Sequence, residues 1–424
     1  MNTGLKISGT AGRTLMAATT GFFFGSMSIS LFGPTSKAIT EAMSLSPVQV
    51  GLLVAIPSLS GSLLRIPMGA SVDVNGGCKS FSTLLFLSII GLLGLSMLFT
   101  FQYPSGMNGM YIPILVLGCL AGCSIATFSV GVSQVSYWYK KKDQGYALGV
   151  FGGLGTTSAG LVAFFLPVIL SAIGFISAYY VITAIMLFGV IFYLFTADNA
   201  PFFQYLRHGL DNDEARQKAE EHGQELFPTG SVKKSLSISA KIPQTWILVI
   251  CYFTTFGGFI AITSWFPTFW QTGHGLTLFV AGSLTAIFSV LAALMRVPGG
   301  KLADKIGGEK VAIYSLTLVG VCGILLCLNM SVVLLFISAI LMAIAFGLNN
   351  AAIMKLVPTY VPQSVGGASG WVGGLGAFGG FVFPPLLGLM SGSHYGYGLG
   401  FIIFTVLAIV DILLLKYGRA SAKE

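Results

Sequence analysis

The chain has 424 residues, 54% hydrophobic and only 8% charged, where a soluble protein of this length carries roughly 25% charged residues. That composition excludes a soluble fold and places the chain in the membrane class. The net charge of +8 does not form a basic face for nucleic acid: of 22 Lys and Arg, three lie inside apolar stretches, Lys37 stands alone on one side, and the other eighteen fall at the termini or in alternate loops, the positive-inside distribution.

A crossing helix needs about 20 mostly apolar residues. On that rule the sequence predicts an all-α membrane protein of twelve spans. Lys6 and Arg13 precede the first, 14–36, which is long enough to stay in the membrane rather than be removed as a signal peptide. Spans over 48–72, 80–101, 111–136, 146–170 and 174–196 follow. Residues 198–243 form the only long polar segment; "LDNDEARQKAEEHGQEL" suits a short surface helix, and the segment as a whole reads as a mobile cytoplasmic linker without chemistry. The remaining spans are 245–270, 277–300, 311–329, 332–357, 366–391 and 397–416. The expected organisation is a six-helix bundle over 1–197, the linker over 198–243 and a second six-helix bundle over 244–424. An even number of spans puts both termini on the side of "KKKDQ", "RQKAEEHGQELF" and "VKKS", so that side should be the cytoplasmic face of the cell membrane.

The chain repeats itself. Residues 65–77, "RIPMGASVDVNGG", and 296–308, "RVPGGKLADKIGG", share an Arg, Pro two later, Gly four later, Asp eight later and Gly-Gly eleven and twelve later. Residues 145–155, "GYALGVFGGLG", likewise answer 366–376, "GGASGWVGGLG". Spans 2 and 5 therefore correspond to spans 8 and 11. Parallel six-helix repeats around a central site are how many secondary transporters are built. The loops holding Asp73 and Asp304 resemble the cytoplasmic loop signature of the major facilitator superfamily. The resemblance implies carboxylates at helix ends, near basic residues or a neighbouring helix N-terminus, in contacts that close one transport state and break in the other.

Arg65 precedes Asp73 by eight residues, a helical rise of about 12 Å against a hydrocarbon half-thickness of about 15 Å, so Arg65 lies near mid-membrane and Arg296 likewise. A buried arginine needs a partner. Of 14 acidic residues only Asp411 lies well inside a span, and it is on the last helix. The economical partner is the cargo: two guanidinium forks facing one cavity would grip a small planar oxyanion through parallel hydrogen bonds. The glycine runs of spans 5 and 11 let helices pack closely and rock. Lys355 is a third cation, near the end of its span. It either snorkels to the interface or faces the cavity. In the second case a proton on Lys355 and an arriving anion would favour each other by linkage, which makes it the proton-coupling candidate. Asn349 and Asn350, a turn and a half earlier, line the cavity or bridge helices.

The six cysteines lack zinc or disulfide spacing. No His or Cys cluster, carboxylate pair, nucleophile motif or ATP-binding motif appears, so no enzyme chemistry, metal or cofactor is expected, and transport would draw on gradients. The duplicated loops argue for coupled bundles rather than a channel.

"IPSLSGSLLRIPMG", "CYFTTFGGFI" and "GGLGAFGGFVFPP" resemble the nitrate/nitrite porter family of the major facilitator superfamily, over roughly residues 15–190 and 245–415. The resemblance implies that Arg65 and Arg296 bind the anion, and that Phe128, Tyr252 and Phe256 pack around it. Read without the family, these aromatics are ordinary core. Where the family usually carries Gly-x-Gly-Asn in span 5, this chain reads "GLGTTSAG", with Thr156 in place of the amide. That departure leaves nitrate, nitrite or another small anion open as the substrate. The expectation is a monomeric secondary transporter working by rocker-switch alternating access with proton symport. Nitrate/nitrite antiport and carriage of a small organic acid anion are the alternatives.

Overall fold

The computed structural model describes residues 7–140, 144–227, 232–328, 331–361, 365–391 and 397–421. Among these, every regular element is a helix, and eleven helices are long and apolar enough to cross a membrane. They run Pro47–Gly69, Gly77–Gln102, Tyr111–Trp138, Val150–Ile173, Phe175–Thr196, Pro243–Gly273, Leu278–Ile306, Gly308–Cys327, Val332–Val357, Gly370–Ser391 and Leu399–Lys416. The first span is shorter than expected. Its α-helix covers Ala11–Ser26, capped by the Thr10 hydroxyl, and a 3-10 turn carries it to Ser30. Gly33 and Pro34 end it, and a separate helix, Ser36–Met43, leads towards span 2. Counted with this first helix, the fold has twelve spans.

The duplicated motif has a local structural cause. Proline lacks an N–H and crowds the carbonyl four residues back. Pro67 therefore frees the carbonyl of Leu63, and Pro298 that of Leu294. The helices Pro47–Leu63 and Leu278–Leu294 end at those residues, and new helices, Arg65–Asn75 and Arg296–Ile306, begin at the arginines. Each arginine thus starts a helical segment just past a break inside an apolar span. The paired glycines have a cause as well. Gly76 at φ 74° and Gly307 at φ 94° take the left-handed region that turns one helix into the next.

Close backbone approach joins the two sets of six spans. A Cβ at Gly51 in span 2 would lie 2.4 Å from the Pro384 carbonyl oxygen of span 11. At Gly282 in span 8 it would lie 2.2 Å from the Ala163 carbonyl oxygen of span 5. Both contacts sit towards the membrane face opposite the Asp73 and Asp304 loops. On the same side, the Ser36 and Thr268 hydroxyls lie 2.9 Å apart and tie the helix Ser36–Met43 to span 7.

The polar segment expected to be mobile is folded over much of its length. Its helices are Pro201–Arg207, Asn212–Glu221 and Val232–Ala240, and the second is the surface helix expected from its sequence, capped by Asp211. Phe202, Phe203, Tyr205, Ala215 and Ala219 form a small core against Ile7, Tyr137 and Trp138. Trp371 of span 11 donates its indole N–H to the Leu236 carbonyl. Polar composition hid this core because few apolar residues make it, two of them alanines at i, i+4 on one face.

Candidate substrate site

The break before each arginine lets both side chains leave their helices towards one ring. The Arg65 guanidinium carbon lies 5.2 Å from the Phe256 centroid and that of Arg296 lies 4.9 Å from it. The two are therefore within about 10 Å of each other, both at cation–π range of a single phenyl group. Phe128 covers Arg65 at 5.0 Å, and Phe259 covers Arg296 at 5.7 Å. Phe128 reaches Phe256 at 6.3 Å, and Tyr252 stacks on Phe256 at 4.8 Å with a 25° interplanar angle. Four of the expected residues, Arg65, Arg296, Phe128 and Phe256, meet directly, and Tyr252 joins through the stack.

Arg65 is 2% exposed, and its Nη1 donates to the Gly373 carbonyl at 3.2 Å. Its Nε, and the Nε and Nη2 of Arg296, are buried without a hydrogen-bond acceptor among the described residues. No carboxylate pairs with either arginine among the described residues. Aromatic faces lower the cost of burying such cations but accept no N–H in-plane. What remains is a pair of forks, Arg65 buried and Arg296 half-buried, with unmet donors in an aromatic setting suited to a small acceptor of negative charge.

Span 7 is unusual where it meets these groups. Its α-helix Pro243–Tyr252 passes into a π-helical turn, Phe253–Gly257, before resuming as Gly258–Thr268. A second π turn, Phe269–Gly273, ends the span. Short π turns inside α-helices occur frequently at functional sites. Tyr252 is fully buried because Gly376 makes room for it: a Cβ there would lie 2.6 Å from the ring. The matching glycine of the first half, Gly155, clears Phe22 in the same way at 2.3 Å.

The other expected residues are placed differently. The Thr156 hydroxyl is buried and donates back to the Gly152 carbonyl at 2.6 Å. Asn349 ties three spans together: its oxygen accepts from Thr255, and its nitrogen donates to the Ala312 carbonyl and the Ser315 hydroxyl. Asn350 shares Thr255 at 2.9 Å and keeps a buried amide nitrogen without a partner among the described residues. Lys355 does not turn towards the arginines. Its Nζ donates to the Ala303 carbonyl at 2.9 Å and pairs with Asp304, about two helical turns past Arg296. The Asp304 side chain is 75% exposed. The Asp73 side chain lies outside the described residues.

Sequence reasoning missed Phe259 and the Gly373 carbonyl. Phe259 follows Phe256 by three residues, so helical spacing would have found it. A backbone acceptor has no such signal.

Twelve helices with duplicated motifs and a buried cationic centre define a multi-pass membrane transporter. The family model for the Major Facilitator Superfamily matches residues 18–291 and 273–424. The probable nitrate transporter NarT of Staphylococcus haemolyticus is 30% identical over 411 residues, 95% of this chain and 96% of that one. The probable nitrate/nitrite antiporter NarK1 of Thermus thermophilus is 27% identical, covering 90% and 86%, and the nitrite extrusion protein of Bacillus subtilis 28%, covering 89% and 86%. The chain therefore belongs to the major facilitator superfamily and, within it, to the nitrate/nitrite porters. Among solved structures, a partially occluded inward-open xylose transporter XylE from E. coli superposes with a TM-score of 0.72 over 96% of this chain and 99% of that one, at 14% identity, which speaks for the fold alone. The relatives named are transporters, not enzymes.

Proposed function

We propose that this chain carries a small inorganic oxyanion, nitrate or nitrite, across the cell membrane by alternating access. The observation that carries the reading is the pair Arg65 and Arg296: two buried guanidinium groups share the Phe256 ring, and neither meets a carboxylate among the described residues. A planar anion between them accepts the donors that the protein leaves unmet, while Tyr252, Phe128 and Phe256 exclude water. The units that rock are residues 1–197 and 244–424, joined by 198–243, with both termini in the cytoplasm. Breaking the Arg65–Gly373 bond and the close contacts of spans 2 with 11 and 5 with 8 accompanies the change of state.

Exchange is the second reading. It is favoured by the names of two relatives, one an antiporter and one an extrusion protein. Under symport, Lys355 and Asp411 are the two candidates we weigh as carriers of the proton. One assay tests the whole reading: purified protein in liposomes, with uptake of nitrate, nitrite, formate and chloride compared with and without a proton gradient. Nitrate or nitrite should dominate. Preference for formate would replace the inorganic anion with a carboxylate. Uptake that needs anion inside and ignores the gradient would select exchange.

A further inference from the structure

Asp411 stands in the last span, fully buried, and neither of its carboxylate oxygens has a hydrogen-bond partner among the described residues. The anion site does not use it. An acid in such a place either holds a proton or faces a cation, because an unpaired charge in the membrane interior is costly.

Its surroundings can be named element by element. From span 7 the Cys251 thiol and the Thr254 hydroxyl are its polar neighbours, neither in hydrogen-bonding geometry with it. Span 9 packs along span 12 through two glycines. A Cβ at Gly323 would meet the Thr405 hydroxyl at 2.5 Å, and one at Gly320 would meet Ala408 at 3.6 Å. Continuing that register brings Asp411 level with Leu316 and Thr317. No charged side chain stands at that level of span 9. Tyr314 is 66% exposed and faces outwards, Cys322 lies more than a turn beyond, and Glu309 and Lys310 lie about two turns the other way. On its own helix the nearest charge is Lys416, at the end of the span.

Span 7 connects the neighbours of Asp411 to the arginines. Cys251 directly precedes Tyr252, and Tyr252 stacks on Phe256, the ring that both arginines share. Thr254 lies inside the π-helical turn. We propose that Asp411 is a proton-binding site of the transport cycle, coupled to the anion site through this turn. The inference rests on the reading of the chain as an anion carrier and names the group that couples anion to proton.

The step is simple in its balance. The carboxylate takes one proton from water on one side of the membrane, becomes a neutral acid, and returns that proton on the other side. While ionised, Asp411 partly cancels the field of Arg65 and Arg296 and opposes an incoming anion. Protonated, it leaves that field to the anion. At an effective dielectric of about 20, unit charges about 12 Å apart change each other's affinity on the order of tenfold. By linkage an anion between the arginines raises the proton affinity of Asp411 by the same factor, so one anion and one proton travel together. The π turn supplies a movable part. Relaxing it to an α turn passes one residue along the helix and rotates one flank by about 100° against the other, which re-aims Cys251 and Tyr252 together.

The test compares wild type, Asp411→Asn and Asp411→Glu in proteoliposomes with nitrate and nitrite as probes. Wild type should accumulate anion when the proton gradient points inward. Asp411→Asn should still exchange nitrate for nitrite, while its gradient-driven accumulation falls at least tenfold. Asp411→Glu, which keeps the acid, should restore the response with a shifted pH profile. Full gradient-driven accumulation by Asp411→Asn overturns the proposal, and so does a wild type that ignores the gradient. A second measurement stands apart from transport. Infrared difference spectra of the wild type, between mildly acidic and mildly alkaline pH, should show the carbonyl stretch of a buried carboxylic acid that nitrate strengthens. If the wild type carries neither nitrate nor nitrite, the anion-carrier reading fails, and the infrared titration alone decides Asp411. A titrating carboxyl band missing from the Asp411→Asn spectrum supports it as a proton site. Absence of any such band overturns it, even if Asp411→Asn does not fold.

Discussion

Arg65 in the second span donates from Nη1 to the carbonyl of Gly373 in the eleventh, 3.2 Å away. The bond crosses between the two repeats, and it occupies only part of the fork; Nε remains without an acceptor among the described residues. An anion offering better acceptors competes for the donor that now holds span 2 to span 11. Under the alternating access proposed above, binding and the loosening of this contact would then be one event, as a ligand that favours one of two states requires.

The first prediction follows from fork geometry. Arg65→Lys and Arg296→Lys each keep the charge but lose the planar pair of donors. Each should fold, judged by gel filtration and thermal unfolding, and each should lose more than tenfold in nitrate or nitrite uptake. Near-normal uptake by both variants sinks the anion clamp.

The second concerns the glycine that admits Tyr252. A Cβ at position 376 would lie 2.6 Å from the ring, so Gly376→Ala must push Tyr252 off its stack on Phe256. Overpacking of this kind costs about 1–3 kcal/mol. We expect a lower melting temperature and weaker anion binding together. Combining it with Tyr252→Val, which removes the ring but keeps a Cβ 3.0 Å away, should recover part of the melting temperature and leave the anion defect. A single variant with unchanged affinity would show that the stack does not form part of the site.

Much of this was legible in the sequence, for identifiable reasons. Twelve long apolar runs fixed the spans, and the exception, the short first helix, arose where Gly33 and Pro34 interrupt an otherwise apolar run. The arginines were visible because a permanent charge at mid-membrane has no cheap explanation. Their Pro two residues later also encoded the helix breaks. Lys355 was harder. Its distance along the helix was readable, but its facing depends on the packing of spans 8 and 10, and there Asp304 and the Ala303 carbonyl take its donors. Asn349 carried the same ambiguity, and its amide is taken up by Thr255, Ala312 and Ser315. The two π turns of span 7 left no mark in composition, since π and α turns use the same residues.

The third prediction tests the residue that departs from the family. The Thr156 hydroxyl donates to its own helix at Gly152, so the position offers no free donor to a ligand. Thr156→Asn brings an amide that can donate outwards. The nitrate-to-nitrite transport ratio should shift by about one hydrogen bond, or roughly 1 kcal/mol. An unchanged ratio over several concentrations makes the position packing alone.

The last prediction separates the two candidate proton carriers. Lys355 is paired with Asp304 in a site where the lysine is 36% and the aspartate 75% exposed. A pair so open to solvent contributes about 1 kcal/mol or less to stability. It also sits on spans 8 and 10 of the same half, so breaking it does not by itself separate the bundles. Lys355→Gln should therefore lower the melting temperature only slightly and keep its response to an inward proton gradient. Asp411→Asn should lose that response. The reverse pattern, with Lys355→Gln blind to the gradient and Asp411→Asn responsive, would return proton coupling to the lysine. It would require Lys355 to leave Asp304 and turn into the cavity in another state of the cycle. Asp304→Asn then adds a check with its own direction. If Lys355 is only a structural pin, freeing it changes little. If it is the carrier, releasing it from its carboxylate should increase gradient-driven uptake or displace its pH profile.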